Sequence, residues 1–180
     1  QPSLKGRHTC AWELQSLDPA KNRQQLITAA IDLQLLTSSD MRNSKIAFIG
    51  GGNMAFALIN GLISNGYPST EILVSDPSQA AKNSLTKQHQ IEFMSDNKSA
   101  VRYADIVILA VKPQILREVV LELSSVIQVQ TVVVSIAAGV PISALQKWFG
   151  KSVPIVRSMP NTPSRLMVGA TGMYANRHVT

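Results

Sequence analysis

The chain has 180 residues, 45% apolar and 16% charged, a composition that fits one globular domain with something attached and leaves enough chain to bury a core. No apolar run approaches the roughly 18 residues that cross a bilayer and none follows Gln1–Arg7, so neither a membrane partner nor a signal peptide is expected. The net charge of +6 lies wholly in residues 41–180, with 13 basic against 7 acidic side chains; aromatics are only 5% and no basic run occurs, which points to a small polyanion and away from nucleic acid.

Residues 1–40 carry four basic and four acidic side chains and sum to zero. Cys10, the one cysteine, makes no internal disulfide and fits a reducing, cytoplasmic setting. Asp18–Pro19 reads as a helix start, and Leu26, Ala29, Ala30 and Leu33 follow at helical spacing. Thr37–Asp40 then reads as a stop and linker. Nothing in this stretch carries chemistry. It is read as an extension or leader before a compact domain over 41–180 that starts at Met41, in preference to an appended interaction helix.

From Lys45 the pattern alternates strand and helix. Ile46–Ile49 is a short apolar strand ending at glycine, and Asn53–Ser64 is a helix whose apolar face is Met54, Leu58 and Leu62. Asn65-Gly66-Tyr67-Pro68 breaks it. Ile72–Val74 is a second strand, and Ser78–Gln90 has helical composition. Ile106–Ala110 is apolar throughout, as a strand covered on both faces must be. Pro113 opens a helix with Ile115, Leu116, Val119, Val120 and Leu123 on one side, Val132–Val134 is another buried strand, and Pro141–Phe149 another helix. Val153–Val156 reads as a last strand, with a loop after it. Strands alternating with helices of these lengths imply right-handed crossovers and a parallel sheet, so the fold class is α/β, a doubly wound Rossmann-type domain.

Gly50-Gly51-Gly52-Asn53-Met54-Ala55 carries the chemistry. It has the form G-x-G-x-x-A, directly after an apolar strand and directly before a helix, the context a dinucleotide fingerprint requires. Gly50 permits the tight turn, Gly52 lets the backbone approach a pyrophosphate, and Ala55 is small enough for helix and strand to pack. The unpaired N–H groups of the following helix face the phosphates. Asp76, twenty-one residues after Ala55, stands where an acidic residue would bind a ribose 2′-hydroxyl and favour NADH; as a turn-former before Pro77 it reads nearly as well. Ser75 and Ser78 are suited to a 2′-phosphate instead, so the choice between NADPH and NADH stays open. Asn97 is an N-cap, an adenosine contact, or both. Ala110-Val111-Lys112-Pro113 and Ser135-Ile136-Ala137-Ala138-Gly139 follow buried strands at the end of the sheet where ligands lie. Lys112 there faces cofactor or is an ordinary solvated lysine, and the small residues around Ala138 leave room for a flat ring or serve close helix packing. His8, His89 and His178 are scattered, so no metal site or His-based triad is expected and no catalytic residue is assigned. A hydride-transfer enzyme needs none of these groups, because the cofactor supplies the chemistry.

Together with the glycine turn, Ala110-Val111-Lys112-Pro113-Gln114, Ser135-Ile136-Ala137-Ala138-Gly139-Val140 and Arg157-Ser158-Met159-Pro160-Asn161-Thr162-Pro163 occur in an order that resembles the pyrroline-5-carboxylate reductases. The resemblance runs from about Met41 to the end. It implies an oxidoreductase of proline biosynthesis in which NADPH or NADH passes hydride to the C=N carbon of 1-pyrroline-5-carboxylate, giving L-proline. Carried over residue by residue, it places Gly51, Asn53 and Met54 on the pyrophosphate, Asp76 and Ser78 near the adenosine ribose, and Asn97 on the adenosine side. Val111, Lys112 and Ala138 border the nicotinamide half. Members of the family continue into a helical carboxy-terminal domain that forms a homo-oligomer and supplies substrate and proton-donating groups. That domain has no counterpart in these residues, so the chain resembles the cofactor half and is expected to bind dinucleotide yet turn over imine poorly. Another Rossmann reductase, or a non-catalytic dinucleotide-binding module, is the alternative.

Overall fold

The computed structural model describes residues 44–160 and 171–179. The expected leader, its boundary at Met41, and Asn161–Pro163 of the last motif therefore lie outside the described residues. The order of elements is β1 (Ile46–Ile49), α1 (Asn53–Ser64), a 3-10 turn (Ser69–Glu71), β2 (Ile72–Ser75), α2 (Gln79–Gln88), β3 (Glu92–Phe93), α3 (Asn97–Arg102), β4 (Ile106–Leu109), α4 (Pro113–Leu123), β5 (Val132–Ser135), α5 (Ile142–Phe149), β6 (Ile155–Pro160) and β7 (Thr171–Ala175). They form one seven-stranded sheet in the order β3-β2-β1-β4-β5-β6-β7.

β1 to β6 pair in parallel, as expected of apolar strands joined by helices. The chain moves outward from β1 through β2 to β3, then returns past β1 to β4. Strand order thus reverses between β1 and β4, the switch point at whose carboxyl ends ligands of such sheets ordinarily lie. Alternate residues of each strand enter opposite layers. Ala47, Ile49, Val107, Leu109, Val133 and Ile155 pack with residues of α3, α4 and α5 such as Val101, Leu116, Val120 and Leu145. Ile46, Phe48, Ile72, Val74, Ile108, Val134 and Val156 pack with Ala55, Ile59 and Leu62 of α1 and Leu85 of α2.

Four expectations change. The buried stripe of α1 is Ala55, Ile59 and Leu62, with Met54 and Leu58 only half-buried, because the sheet meets the neighbouring i, i+4 row. Ile115 stands 47% exposed beside the buried Leu116, Val119, Val120 and Leu123 of α4. α2 stops at Gln88, with His89 extended and its Nε2 2.6 Å from Asn60 Oδ1 of α1. The last parallel strand begins at Ile155 and runs through Met159 to Pro160, where a loop was expected, because β7 pairs with it antiparallel from Val156 to Pro160.

α1 ends as its sequence indicated. The N–H groups of Gly66 and Tyr67 turn back to the carbonyls of Ile63 and Leu62 at 2.9 and 3.0 Å, closing the helix. Tyr67 is buried, and its hydroxyl donates to the Ser44 carbonyl. Burial first, then the charges of Glu71 and Asp105, pushes its phenol up. At the opposite edge Asn176 ties the end of β7 to the start of β6. Its Oδ1 accepts from the backbone N–H of Ile155 (3.1 Å) and His178 (3.2 Å), and its Nδ2 donates to the Val153 carbonyl at 2.9 Å. Asn176 is buried, so Asn176→Ala leaves three backbone groups without their partner. It is expected to lower unfolding free energy by about 2–4 kcal/mol, read as an earlier midpoint in urea.

Candidate cofactor site

Three glycines follow β1, each for a different reason. Gly50 has φ +101°, and its N–H donates to the Ser75 carbonyl at 2.8 Å. A β-carbon there would stand 2.7 Å from the Ala110 carbonyl oxygen and 3.2 Å from Val111 Cγ1. Gly51 is buried, and a β-carbon on it would press against those of Ala81 (3.2 Å) and Asp76 (3.4 Å). Gly52 is exposed, has ordinary extended backbone (φ −71°, ψ −176°), and a β-carbon on it would meet nothing within 4 Å. Gly50 makes the turn, Gly51 makes the packing, and Gly52 leaves a space.

That space lies at the start of α1. Gly52 is its N-cap, no side chain caps it, and its first turn holds no acidic residue. The first helical bond runs from the Phe56 N–H to the Gly52 carbonyl at 2.9 Å, so the N–H groups of Asn53 and Met54 have no carbonyl of their own helix to meet. The neighbouring α2 and α3 are closed by side chains. Ser78 Oγ accepts from the Ala81 N–H (3.3 Å), and Asp96 Oδ1 accepts from the Ser99 N–H (2.8 Å). Free donors, the positive end of the helix dipole and open space above Gly52 fit a pyrophosphate.

Asp76 closes the site from the β2 side. Its Oδ2 accepts from the Gly51 N–H at 2.6 Å and its Oδ1 from the Ser78 N–H at 2.7 Å. The turn-forming role is therefore visible in the geometry, together with a reach back to the glycine turn. The Gly51 N–H is engaged by Asp76, so the donors left open to a ligand belong to Gly52, Asn53 and Met54.

Asn97 is not an N-cap. Asp96 holds that position, one residue earlier than expected. The Ser99 backbone N–H, followed by the Ser99 and Ser95 hydroxyls, holds its carboxyl below the usual range. Asn97 is the first helical residue; its Oδ1 accepts from Ser75 Oγ (2.9 Å) and its Nδ2 donates to Glu122 Oε2 of α4 (3.0 Å). The Ser95-Asp96 pair was a readable cap signal. Ser75 and Glu122 carried none, since nothing local links residues this far apart in sequence.

The other candidates stand past the carboxyl ends of β4 and β5. Ala110 carries the carbonyl under Gly50, and Val111 lies against the same glycine. Lys112 is the exposed N-cap of α4, Pro113 is its first residue, and Ala138 is exposed in the loop before α5. Contacts thus join Gly50, Gly51, Asp76, Ser78, Ala110 and Val111, while Lys112, Pro113 and Ala138 extend the row. Among the described residues, no three His, Cys, Asp or Glu side chains cluster to hold a metal, and no helix is long and apolar enough to cross a membrane.

The family profile described as "NADP oxidoreductase coenzyme F420-dependent" matches residues 45–139, from the foot of β1 to the loop beyond β5. The chain belongs to this family. The chain is similar to the pyrroline-5-carboxylate reductase of Pseudomonas aeruginosa, at 43% identity over 140 residues that make up 78% of the chain and 51% of that relative. It is similar also to the structure of a pyrroline-5-carboxylate reductase from Coxiella burnetii, with TM-score 0.74, 41% identity, and coverage of 76% of this chain and 51% of that one. The crystal structure of Plasmodium falciparum pyrroline carboxylate reductase with NADP bound gives TM-score 0.68 at 29% identity, covering 77% and 50%. The chain spans about half the length of the relatives it matches.

Proposed function

We propose that this chain holds a nicotinamide dinucleotide across the carboxyl ends of β1, β2, β4 and β5, as the cofactor half of a reductase that converts 1-pyrroline-5-carboxylate to L-proline. The observation that carries this reading is the uncapped start of α1 beneath an open Gly52, in a chain whose relatives bear that name. Gly50 shapes the turn, and Gly52, Asn53 and Met54 offer N–H groups to the pyrophosphate. Ser78 and Asn97 stand toward the adenosine end. Ala110, Val111, Lys112, Pro113 and Ala138 border the nicotinamide half. The NADP bound by the Plasmodium falciparum relative favours NADPH over NADH. When bound, the dinucleotide supplies the hydride; these residues hold and orient it, and no proton donor is assigned among them. The whole enzyme is proposed to be a cytoplasmic homo-oligomer, with no nucleic-acid or membrane partner.

Titrating NADPH into the 180-residue chain and following nicotinamide fluorescence tests the reading. Saturable binding between about 1 μM and 1 mM is expected, the range in which most enzymes meet their ligands. Imine-dependent NADPH oxidation is expected to be absent or slow. No saturation at the upper limit overturns the cofactor assignment. Proline formation at the rate of an intact enzyme overturns the assignment of these residues as a cofactor half.

A further inference from the structure

An acidic residue after the second strand of a dinucleotide fold ordinarily reads the ribose, accepting from its 2′-hydroxyl and repelling a 2′-phosphate. Here the same position is built differently. Asp76 directs one carboxylate oxygen to the Gly51 N–H at 2.6 Å and the other to the Ser78 N–H at 2.7 Å. The first contact joins residues 25 apart in sequence, from the glycine turn after β1 to the turn after β2. Ser78 in turn caps α2 through its own side chain, so one carboxylate links the glycine turn to a helix start.

We infer that Asp76 is a positioning residue for the glycine turn and does not select between NADH and NADPH. Two short charge-assisted bonds occupy both oxygens and offset their charge with N–H dipoles. Gly51 is buried, with Ala81 and Asp76 packed where a side chain would go, so its peptide has little freedom once that N–H is held. Holding it orients the next peptides, and those carry the N–H groups of Gly52, Asn53 and Met54 that α1 leaves open. Asp76 therefore acts on the pyrophosphate end, which the two cofactors share, and not on the 2′ position in which they differ. This rests on the dinucleotide reading proposed above.

The experiment combines two measurements on the full chain. Amide hydrogen exchange without cofactor reads the clasp directly. The Gly51 N–H is expected to be protected in the wild type and to exchange at least about tenfold faster in Asp76→Asn, which keeps the shape but sets an NH2 against one N–H, with global stability little changed. A Gly51 amide that exchanges as freely as those of Gly52 and Asn53 in the wild type overturns the clasp, whether or not any cofactor binds. Dissociation constants for NADPH and NADH are then measured for both proteins. Both affinities are expected to fall by the same factor, about tenfold, with their ratio changed by less than about twofold. NADH weakened about tenfold more than NADPH, or NADPH strengthened, would show a ribose-reading carboxylate and overturn the inference. If the wild type binds neither dinucleotide, the functional reading fails, while the exchange result still decides what Asp76 does.

Discussion

Gly52→Val is expected to abolish dinucleotide binding in a chain that folds as before. At this position the two demands on a glycine separate cleanly. The backbone is extended, with φ −71°, so any residue can adopt it, and a β-carbon meets nothing within 4 Å. Folding should therefore change by no more than about 1 kcal/mol, the small penalty of an apolar N-cap being offset by the lower entropy of an unfolded chain without that glycine. Binding should respond very differently. The valine side chain fills the space through which a pyrophosphate would reach the N–H groups at the start of α1. Losing two charge-assisted hydrogen bonds weakens affinity by about 100-fold or more. Calorimetric titration with NADPH, beside a thermal melt of the same sample, reads both quantities. Equal affinity in wild type and variant would remove the pyrophosphate from this turn. Lost affinity with a lowered melting temperature would instead mean that the substitution acted on the fold.

Gly50→Ala is expected to do the reverse, damaging the fold before any ligand is involved. Its φ of +101° is one that L side chains rarely adopt, and the added carbon would stand 2.7 Å from the Ala110 carbonyl oxygen. That oxygen cannot retreat cheaply. The Ala110 N–H is bonded to the Ile49 carbonyl at 2.8 Å and the Gly50 N–H to the Ser75 carbonyl at 2.8 Å, so the turn is held between β2 and β4 on its two sides. Backbone strain and overpacking together should cost about 3–5 kcal/mol, a large part of the 5–15 kcal/mol by which domains are stable. A fall in melting temperature of about 10 °C is the corresponding signal. A variant that melts with the wild type would show that the positive φ relaxes freely.

The two variants test the roles legible in the glycine string, a turn at Gly50 and an approach to phosphate at Gly52, whereas the role of Gly51 was not legible there. Three consecutive glycines between an apolar strand and a helix assign the turn to Gly50 and the approach to a phosphate to Gly52, but sequence spacing gives Gly51 no packing role. The packing partner of Gly51 is Ala81 and the carbonyl beneath Gly50 belongs to Ala110; both arrive through the sheet from distant parts of the chain. The α1 face shows the same limit. Met54-Leu58-Leu62 and Ala55-Ile59-Leu62 are both helical rows in the sequence, and only docking on the sheet chooses the second. Asn97 reads as an N-cap or an adenosine contact in the sequence, yet the cap is Asp96, and the partners of Asn97, Ser75 and Glu122, come from β2 and α4.

The sequence alone determined the frame. Ile46–Ile49, Ile72–Val74, Ile106–Leu109 and Val132–Val134 are unbroken apolar runs because parallel strands are covered on both faces, and that local signal survives without any partner in view. With the glycine turn it was enough to indicate a doubly wound fold and a dinucleotide. Tertiary structure alone decided the edges and the clasp. β3 is the two residues Glu92–Phe93, and β7 is an antiparallel strand with Tyr174 71% exposed, so neither carries a buried pattern and each is a strand only because a neighbour supplies its hydrogen bonds. Asp76 likewise reads as a turn residue until β1 and β2 lie side by side. Their pairing, Ile49 against Ser75, then brings the Gly51 N–H within 2.6 Å of its carboxylate.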